Sequence, residues 1–256
     1  MTLFSTTFPV SDPHGTVVVV HGLGEHSGRH AAVIDALNRA RWSVVAYDQR
    51  GHGRSPGKRG AVPHAGALLD DLAHVVDGVA TKKLVLFGHS MGGTVAARFV
   101  AEAIRPVHAL ILSSPALKRP LGLVDRIRLA AGNVLAPNVP VNNGLDATKI
   151  SHDPEVVRAY RTDPLVHDRI TPRLARFILE SGVLVRAKAK EWRVPTLLLW
   201  AGDDRLVDPK GSRELAWNAP QGVLTAREFP ALYHEIFNEN DPAVFETMLE
   251  WLKRVQ

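Results

Sequence analysis

Short runs of consecutive apolar, β-branched residues recur along the chain and alternate with stretches of helical periodicity. Such runs, without alternating polar positions, are typical of strands covered on both faces of a parallel sheet. The predicted strands are 16–20, 43–47, 84–87, 109–113, 196–200 and 223–229. The predicted helices include 30–41, 66–79 and 91–104, and Asp-Pro pairs at 208–209 and 241–242 predict two further helix starts. The pattern predicts an α/β fold with a mainly parallel sheet flanked by helices, and the first ten residues are expected to add antiparallel edge strands.

The alternation of strands and helices stops at Ser114-Pro115 and resumes at Val194-Pro195. Two apolar helical faces are predicted between these prolines, and no strand is predicted there. The faces consist of Leu123, Val124, Ile127, Ala131, Val134 and Leu135, and of Leu174, Phe177, Ile178 and Leu184. We therefore expect a core formed by residues 1–114 and 194–256, with a helical cap or lid, residues 115–193, inserted between two sheet strands.

Composition narrows the functional classes. The 256 residues are 45% hydrophobic and 22% charged, which excludes a disordered chain, and the absence of cysteine excludes thiolate chemistry. No apolar run is long enough to span a bilayer and no signal peptide is recognised, so a cytoplasmic location is expected.

The net charge of +5 is concentrated in one segment. Residues 115–195 carry 14 Lys and Arg against 8 Asp and Glu, whereas the rest of the chain is almost neutral. No nucleic-acid recognition motif accompanies these cations, so no nucleic-acid partner is expected. Peripheral contact of the basic cap with an anionic membrane surface is one interpretation, and a solvated surface without a partner is the other.

The segment LVLFGHSMGG at 84–93 contains a Gly-x-Ser-x-Gly pattern centred on Ser90. It follows a predicted buried strand and precedes a predicted helix, as a nucleophile elbow requires. Glycines two positions before and after the serine relieve crowding in a sharp turn. The pattern indicates Ser90 as a nucleophile, the alternative being a glycine-rich turn with an idle serine.

A serine nucleophile needs a histidine base and an acid that orients it. His234 lies in a loop after the last predicted strand, where the base of such a triad is expected. The acid is expected after the preceding strand, where the chain offers Asp203, Asp204 and Asp208. Asp208 precedes Pro209 and is expected to cap a helix. Spacing alone does not choose between Asp203 and Asp204.

Several segments resemble the monoacylglycerol lipases of the α/β-hydrolase superfamily, which also holds lysophospholipases. The resemblance runs from about Gly15 to the C-terminus, and HGLGEHSGRH at 21–30 is its most specific segment. The other segments are DQRGHGRS at 48–55, GHSMGG at 88–93, DRLVD at 204–208, YHE at 233–235 and YRTDPLVH at 160–167.

This resemblance implies specific roles. It makes Ser90 the nucleophile, His234 the base and Asp204 the acid, and it puts the oxyanion hole on the backbone N–H groups of Leu23 and Met91. It also implies that Glu25 and Arg29 help to form a polar pocket for glycerol. Their alternative role is an ion pair that only holds the loop in shape.

The expected function is hydrolysis of a small lipid ester, a monoacylglycerol, to glycerol and fatty acid through an acyl-enzyme. Lysophospholipase, carboxylesterase and thioesterase activities are the alternatives within the fold, and a non-catalytic ligand-binding relative is a more remote one. A dinucleotide-binding domain is another remote alternative, because GLGEHSG at 22–28 is followed by Asp48 about 20 residues on. The histidines form no ligand cluster in sequence, so neither a metal nor a cofactor is expected.

Overall fold

The computed structural model describes residues 2–119 and 123–256. Seven strands form one sheet, and they are β1 Ser5–Phe8, β2 Gly15–Val20, β3 Trp42–Tyr47, β4 Leu84–His89, β5 Ala109–Ser113, β8 Thr196–Ala201 and β9 Leu224–Phe229. Their order across the sheet is β1-β3-β2-β4-β5-β8-β9. Only β1 is antiparallel to its neighbour, and the other neighbouring pairs are parallel. The predicted α/β class is confirmed, and the first ten residues add one antiparallel edge strand where several were expected.

Helices cover both faces of this sheet. The core helices are α1 Ala31–Arg39, α2 Ala67–Asp77, α3 Ser90–Ala101, α7 Lys210–Asn218 and α8 Pro242–Leu252. Apolar side chains of α1 and α8 pack on one face, and those of α2, α3 and α7 pack on the other. Asp241 caps α8 as predicted, by accepting a hydrogen bond from the Ala243 amide at 2.9 Å. The helix predicted from Pro209 begins one residue later, and the Asp208 carboxylate accepts from the Lys210 amide.

Between β5 and β8 the chain leaves the sheet and forms α4 Leu123–Leu135, α5 Pro154–Thr162 and α6 Pro172–Ala187. We keep the name cap for residues 115–193. The prediction of no strand here is wrong, since β6 Val141–Asn142 pairs with β7 Arg169–Ile170. Two residues per strand are too few for a hydrophobic period to appear in the sequence.

The two predicted apolar faces of the cap differ in their surroundings. On α6, Leu174 and Phe177 are fully buried, and the helix packs on α3. On α4, Val134 and Leu135 are 80% and 82% exposed, so this end of the predicted face does not pack on the core. The other predicted members of this face, Leu123, Val124 and Ile127, have side chains that lie outside the described part of the structure.

Candidate active site

Ser90 lies at the sharp junction between β4 and α3, in the left-handed region of backbone conformation with a φ of 53°. This conformation is costly for a residue with a side chain and is typical of strained functional turns. The glycines on either side of Ser90 permit this sharp turn, because neighbouring backbone atoms lie where a side chain at either glycine would have to be. A Cβ on Gly88 would lie 2.7 Å from the Gly92 carbonyl oxygen, and one on Gly92 would overlap the carbonyl oxygens of Val20 and His21. The glycines therefore let α3 start directly against β2 and β4.

Ser90, His234 and Asp204 form one hydrogen-bonded chain across the carboxyl ends of the strands. His234 Nδ1 lies 2.6 Å from Asp204 Oδ2, and His234 Nε2 lies 2.8 Å from Ser90 Oγ. Because a carboxylate only accepts, Nδ1 carries the proton and Nε2 is left to accept the serine hydroxyl. This is the arrangement in which an imidazole can take a proton from a serine.

The geometry separates the three aspartates that follow β8. Asp204 is buried, and its second oxygen accepts hydrogen bonds from the amides of Leu206 and Val207 at 2.8 and 3.0 Å. Asp203 points away from His234 and pairs with Arg205 at the surface. Only Asp204 among them contacts the histidine, as the resemblance implied.

Electrostatics distinguishes His234 from the neighbouring His89. Burial alone would lower the pKa of His234, but Asp204, with smaller contributions from Glu235 and Glu25, outweighs it, so this pKa is raised above its usual value. The His89 ring lies 4.9 Å from the His234 ring and forms a hydrogen bond with the Ser113 hydroxyl. Burial and the nearby His234 hold the pKa of His89 well below its usual range. His89 is therefore a neutral neighbour that adds no charge when His234 is protonated.

Leu23 and Met91, the two predicted oxyanion residues, both border the cavity beside Ser90. Met91 is the second residue of α3, and amides in a first helical turn have no acceptor within the helix. Gly22 brings the other loop close, since a Cβ there would lie 3.2 Å from the Ser90 Cβ. Both residues therefore lie in the segments next to the nucleophile, and the catalytic role of their amides stays a prediction.

Glu25 and Arg29 belong to a larger buried cluster. Arg29 forms a two-pronged ion pair with Glu235, at 2.6 and 2.8 Å, and contacts Glu25 at 3.0 Å. The Arg29 guanidinium also lies 4.6 Å from the centre of the Tyr160 ring, which comes from the cap. Glu25, Glu235 and Tyr160 border the cavity, whereas Arg29 is not among its lining residues. The geometry therefore gives Arg29 a bridging position behind two carboxylates.

The Glu25 carboxylate shapes the loop as well as the cavity wall. Its Oε1 accepts from the Gly22 amide at 2.5 Å and lies 3.2 Å from His30 Nε2. Although burial opposes ionisation, His30 and Arg29 hold the pKa of Glu25 well below its usual range. Burial and the nearby Glu25 raise the pKa of Tyr160 to about 12. Near neutral pH Glu25 is therefore a carboxylate and Tyr160 a neutral phenol, and both lie beside the Arg29 guanidinium.

Sequence reasoning assigned no role to Glu235, Tyr160 or His89. All three lie within segments that resemble the monoacylglycerol lipases: His89 precedes Ser90, Glu235 follows His234, and Tyr160 begins the segment 160–167 of the cap. A single sequence gives no signal that Glu235 and Arg29, which are 206 positions apart, form a pair.

A cavity of about 1120 Å³ extends from Ser90 between α4, α6 and the core. It is bordered by Glu25 and Glu235, which we call the glutamate end, by the cations Lys118, Arg119, Arg176 and Arg186, and by many apolar cap side chains. These include Leu129, Val134, Val139, Val141, Leu145, Ile170, Ile178, Leu179 and Val183. A hydroxyl nucleophile thus faces an apolar space of the size that ligand cavities in proteins have.

The dinucleotide alternative is wrong. It requires the Asp48 carboxylate to hold a ribose, but Asp48 is 1% exposed. Its oxygens accept from the amide and hydroxyl of Ser27 and from the Arg54 amide, at 2.6–2.8 Å.

The fold and the site define the class of this protein, a serine hydrolase with an α/β-hydrolase fold. Residues 11–241 match the Hydrolase_4 family, described as serine aminopeptidase, S33. A monoacylglycerol lipase from Mycolicibacterium smegmatis is 36% identical over 95% of this chain and 90% of its own length. Phospholipase YtpA from Bacillus subtilis is 31% identical, over 91% of this chain and 92% of its own.

Among solved structures, the monoacylglycerol lipase of Paleococcus ferrophilus superposes with a TM-score of 0.92. It is 34% identical, and the match covers all of both chains. The chain therefore belongs to the Hydrolase_4 family, is similar to the monoacylglycerol lipases, and is a serine ester hydrolase. Within the described residues, 2–119 and 123–256, no helix is both long and apolar enough to cross a membrane.

Proposed function

We propose that this protein hydrolyses the ester of a monoacylglycerol through an acyl-enzyme on Ser90. The observation that carries the proposal is the Ser90–His234–Asp204 chain opening onto one largely apolar cavity that also has polar lining residues, Glu25 and Glu235 among them. Such a cavity suits one acyl chain and one small hydroxylated alcohol. The similarity to monoacylglycerol lipases over nearly the whole chain supports the same substrate.

In the proposed reaction, His234 Nε2 takes the Ser90 proton as Oγ attacks the ester carbonyl. The Leu23 and Met91 amides stabilise the oxyanion, and each such donor contributes about 3 kcal/mol. His234 then protonates the leaving glycerol oxygen, and the same histidine activates the water that releases the fatty acid. Asp204 holds the imidazole in the productive tautomer and stabilises its charged form.

We propose that the cap forms most of the wall of the acyl-binding space. Its α4 and α6 supply apolar side chains to the cavity, while Tyr160 near the end of α5 reaches the glutamate end. The acyl chain is then bound by the cap, and the alcohol lies near Glu25 and Glu235.

The charge of that alcohol end favours glycerol over a phosphate-bearing headgroup. Glu25 and Glu235 both contact the single guanidinium of Arg29, at 3.0 and 2.6 Å, so two carboxyl groups share one arginine at this end. A phosphate placed beside them would meet an excess of like charge, which costs free energy. This argues against the lysophospholipase alternative, which the similarity to a Bacillus phospholipase otherwise favours.

We expect kcat/KM for a monoacylglycerol to exceed that for the matched acylglycerol phosphate by about 10-fold or more, which is about 1.4 kcal/mol. Both are assayed by fatty-acid release, beside a short p-nitrophenyl ester. Glu235→Gln replaces a carboxyl group with a neutral amide, so the ratio of the two kcat/KM values should be smaller in this variant than in the wild-type protein. A preference for the phosphate lipid would assign the lysophospholipase function instead, and turnover of the short ester alone would leave only a carboxylesterase.

We also propose peripheral contact of the cap with an anionic membrane surface. Five apolar side chains of the cap are more than half exposed, and four of them also border the cavity. They are Val134, Leu135, Val139, Val141 and Val183. Arg176 on α6 borders the same cavity and pairs with Glu180, and residues 115–195 as a whole carry 14 Lys and Arg against 8 Asp and Glu. Apolar side chains rimmed by cations are typical of surfaces that bind anionic bilayers.

The double variant Val134→Ser, Leu135→Ser is expected to lower partitioning onto phosphatidylglycerol-containing vesicles by about 10-fold, because two inserted apolar side chains are lost. Vesicle flotation measures this. Trp217→Ser is the matched control, since Trp217 is 89% exposed on α7, outside the cap. Equal binding by wild type and double variant would contradict the proposed contact.

A further inference from the structure

His234 lies in a loop, residues 230–239, whose regular part is one short 3-10 turn at Ile236–Asn238. A base on a loop needs anchors, because its ring must contact Asp204 and Ser90 at the same time. Within the core, Arg29 supplies one such anchor through Glu235. The remaining anchors come largely from the cap.

The cap residues on this loop are Ile150–His152, which we call the anchor segment. The Glu235 amide donates to the Ile150 carbonyl at 2.8 Å, and the Ser151 hydroxyl donates to the Asn238 carbonyl at 2.9 Å. The ring of His152 stacks on the ring of Tyr233, with 3.7 Å between centres. Both neighbours of His234 in sequence therefore contact the anchor segment.

Glu239 joins the anchor segment to the other side of His234. Its carboxylate is 4% exposed, and Oε1 accepts from the Tyr233 amide at 2.8 Å while lying 2.9 Å from His152 Nδ1. Its Oε2 accepts from the His152 amide at 3.2 Å and lies 3.3 Å from the Ser151 hydroxyl oxygen. A carboxylate buried to this degree needs several donors, and here every one belongs either to the cap or to the residue before the base.

We propose that Glu239 and the anchor segment are positioning elements that hold His234 in register with Ser90 and Asp204. In this proposal the cap has a second role besides substrate binding, since part of it fixes the catalytic base. The segment then stays attached to the core while α4 and the loop after it accommodate the acyl chain. The proposal rests on the proposed role of His234 as the base.

The test is Glu239→Gln. Glutamine keeps the size of the side chain, but one carboxylate oxygen is replaced by an NH2 group. That group is a donor and faces the hydrogen-bond donors that the oxygen accepted from, so these contacts are lost. Displacement of the base by a fraction of an ångström is expected to lower kcat by about 10-fold, with KM changed less than about twofold. The loss should be the same on a short p-nitrophenyl ester and on a monoacylglycerol, because both need the base.

Asp163→Asn is the matched control. Asp163 of the cap contacts His26 Nε2 at 2.9 Å, which is also a histidine–carboxylate contact between cap and core but involves the loop after β2. We expect its kcat to stay within about twofold of wild type at a comparable loss of Tm. Ser151→Ala removes only the hydroxyl contacts and should give a smaller loss of kcat than Glu239→Gln, in a variant with little risk of misfolding.

Four outcomes would overturn the proposal. A lower Tm with unchanged kcat in both anchor variants would show a merely structural role. A loss confined to the monoacylglycerol, mainly in KM, would show that the anchor serves substrate binding. If the wild-type protein hydrolyses neither ester, the proposed function fails and this inference fails with it. If the wild-type protein is active and both anchor variants are equally active, only the positioning role is rejected.

Discussion

Replacing Ser90 with alanine is expected to lower kcat by about 10⁵-fold or more on every ester, while the protein stays folded. The reason is that no acyl-enzyme forms without the hydroxyl, and the remaining triad members do not act alone. The measurement is fatty-acid release from a monoacylglycerol, with circular dichroism and Tm recorded on the same samples. Residual turnover within 100-fold of wild type would mean that another group carries the reaction.

Ser90→Gly is the control for the strain in this turn. Ser90 has a φ of 53°, which glycine adopts without steric cost and alanine does not. Both variants should be inactive, but the glycine variant should melt about 2–4 °C above the alanine variant, since about 1 kcal/mol of strain is relieved in a chain of this size. Equal Tm values would contradict the claim that the turn stores strain at the nucleophile.

The nucleophile was predictable from sequence because its requirements are local. Gly88 and Gly92 flank Ser90, and the strand before it and the helix after it each have a hydrophobic period within about ten residues. The same holds for the sheet, whose strands β2, β3, β4, β5 and β8 are buried along their lengths. β9 is a partly exposed edge strand, yet its apolar ends and its place after α7 were enough to predict it.

The rest of the site depends on contacts between distant segments. Spacing along the chain could not decide whether Asp203 or Asp204 is the acid of the triad. The family resemblance indicated Asp204, and the contact with His234 in the structure agrees. The Arg29–Glu235 pair, the Tyr160 ring over Arg29 and the Glu239 contacts each join the core to a loop or to the cap. A hydrophobic period reports burial but not partners, so these contacts were not visible. The cap pair β6–β7 was missed for a related reason, because its pairing partners lie 27 and 29 positions apart along the chain.

Replacing Asp204 with asparagine should lower kcat by about 10⁴-fold, whereas Asp203→Asn should leave it within about threefold of wild type. The asparagine side chain of the first variant could place its NH2 group against His234 Nδ1, which favours the tautomer that cannot accept the serine proton. The substitution would also remove the charge that raises the pKa of His234 and stabilises the imidazolium formed in the reaction. Asp203 is exposed and pairs with Arg205, so its neutralisation removes only a surface ion pair.

The two aspartate variants are matched in chemistry and adjacent in sequence, so the comparison isolates the contact with His234. The kcat/KM of each is measured against pH on the short p-nitrophenyl ester, which is least dependent on the cap. Because the Asp204 carboxylate raises the pKa of His234 against the effect of burial, its loss should move the acidic limb of the residual activity to lower pH. The same limb should stay in place for Asp203→Asn. If Asp203→Asn instead causes the larger loss, the acid has been assigned to the wrong neighbour, and the 2.6 Å contact between Asp204 and His234 is not the catalytic one.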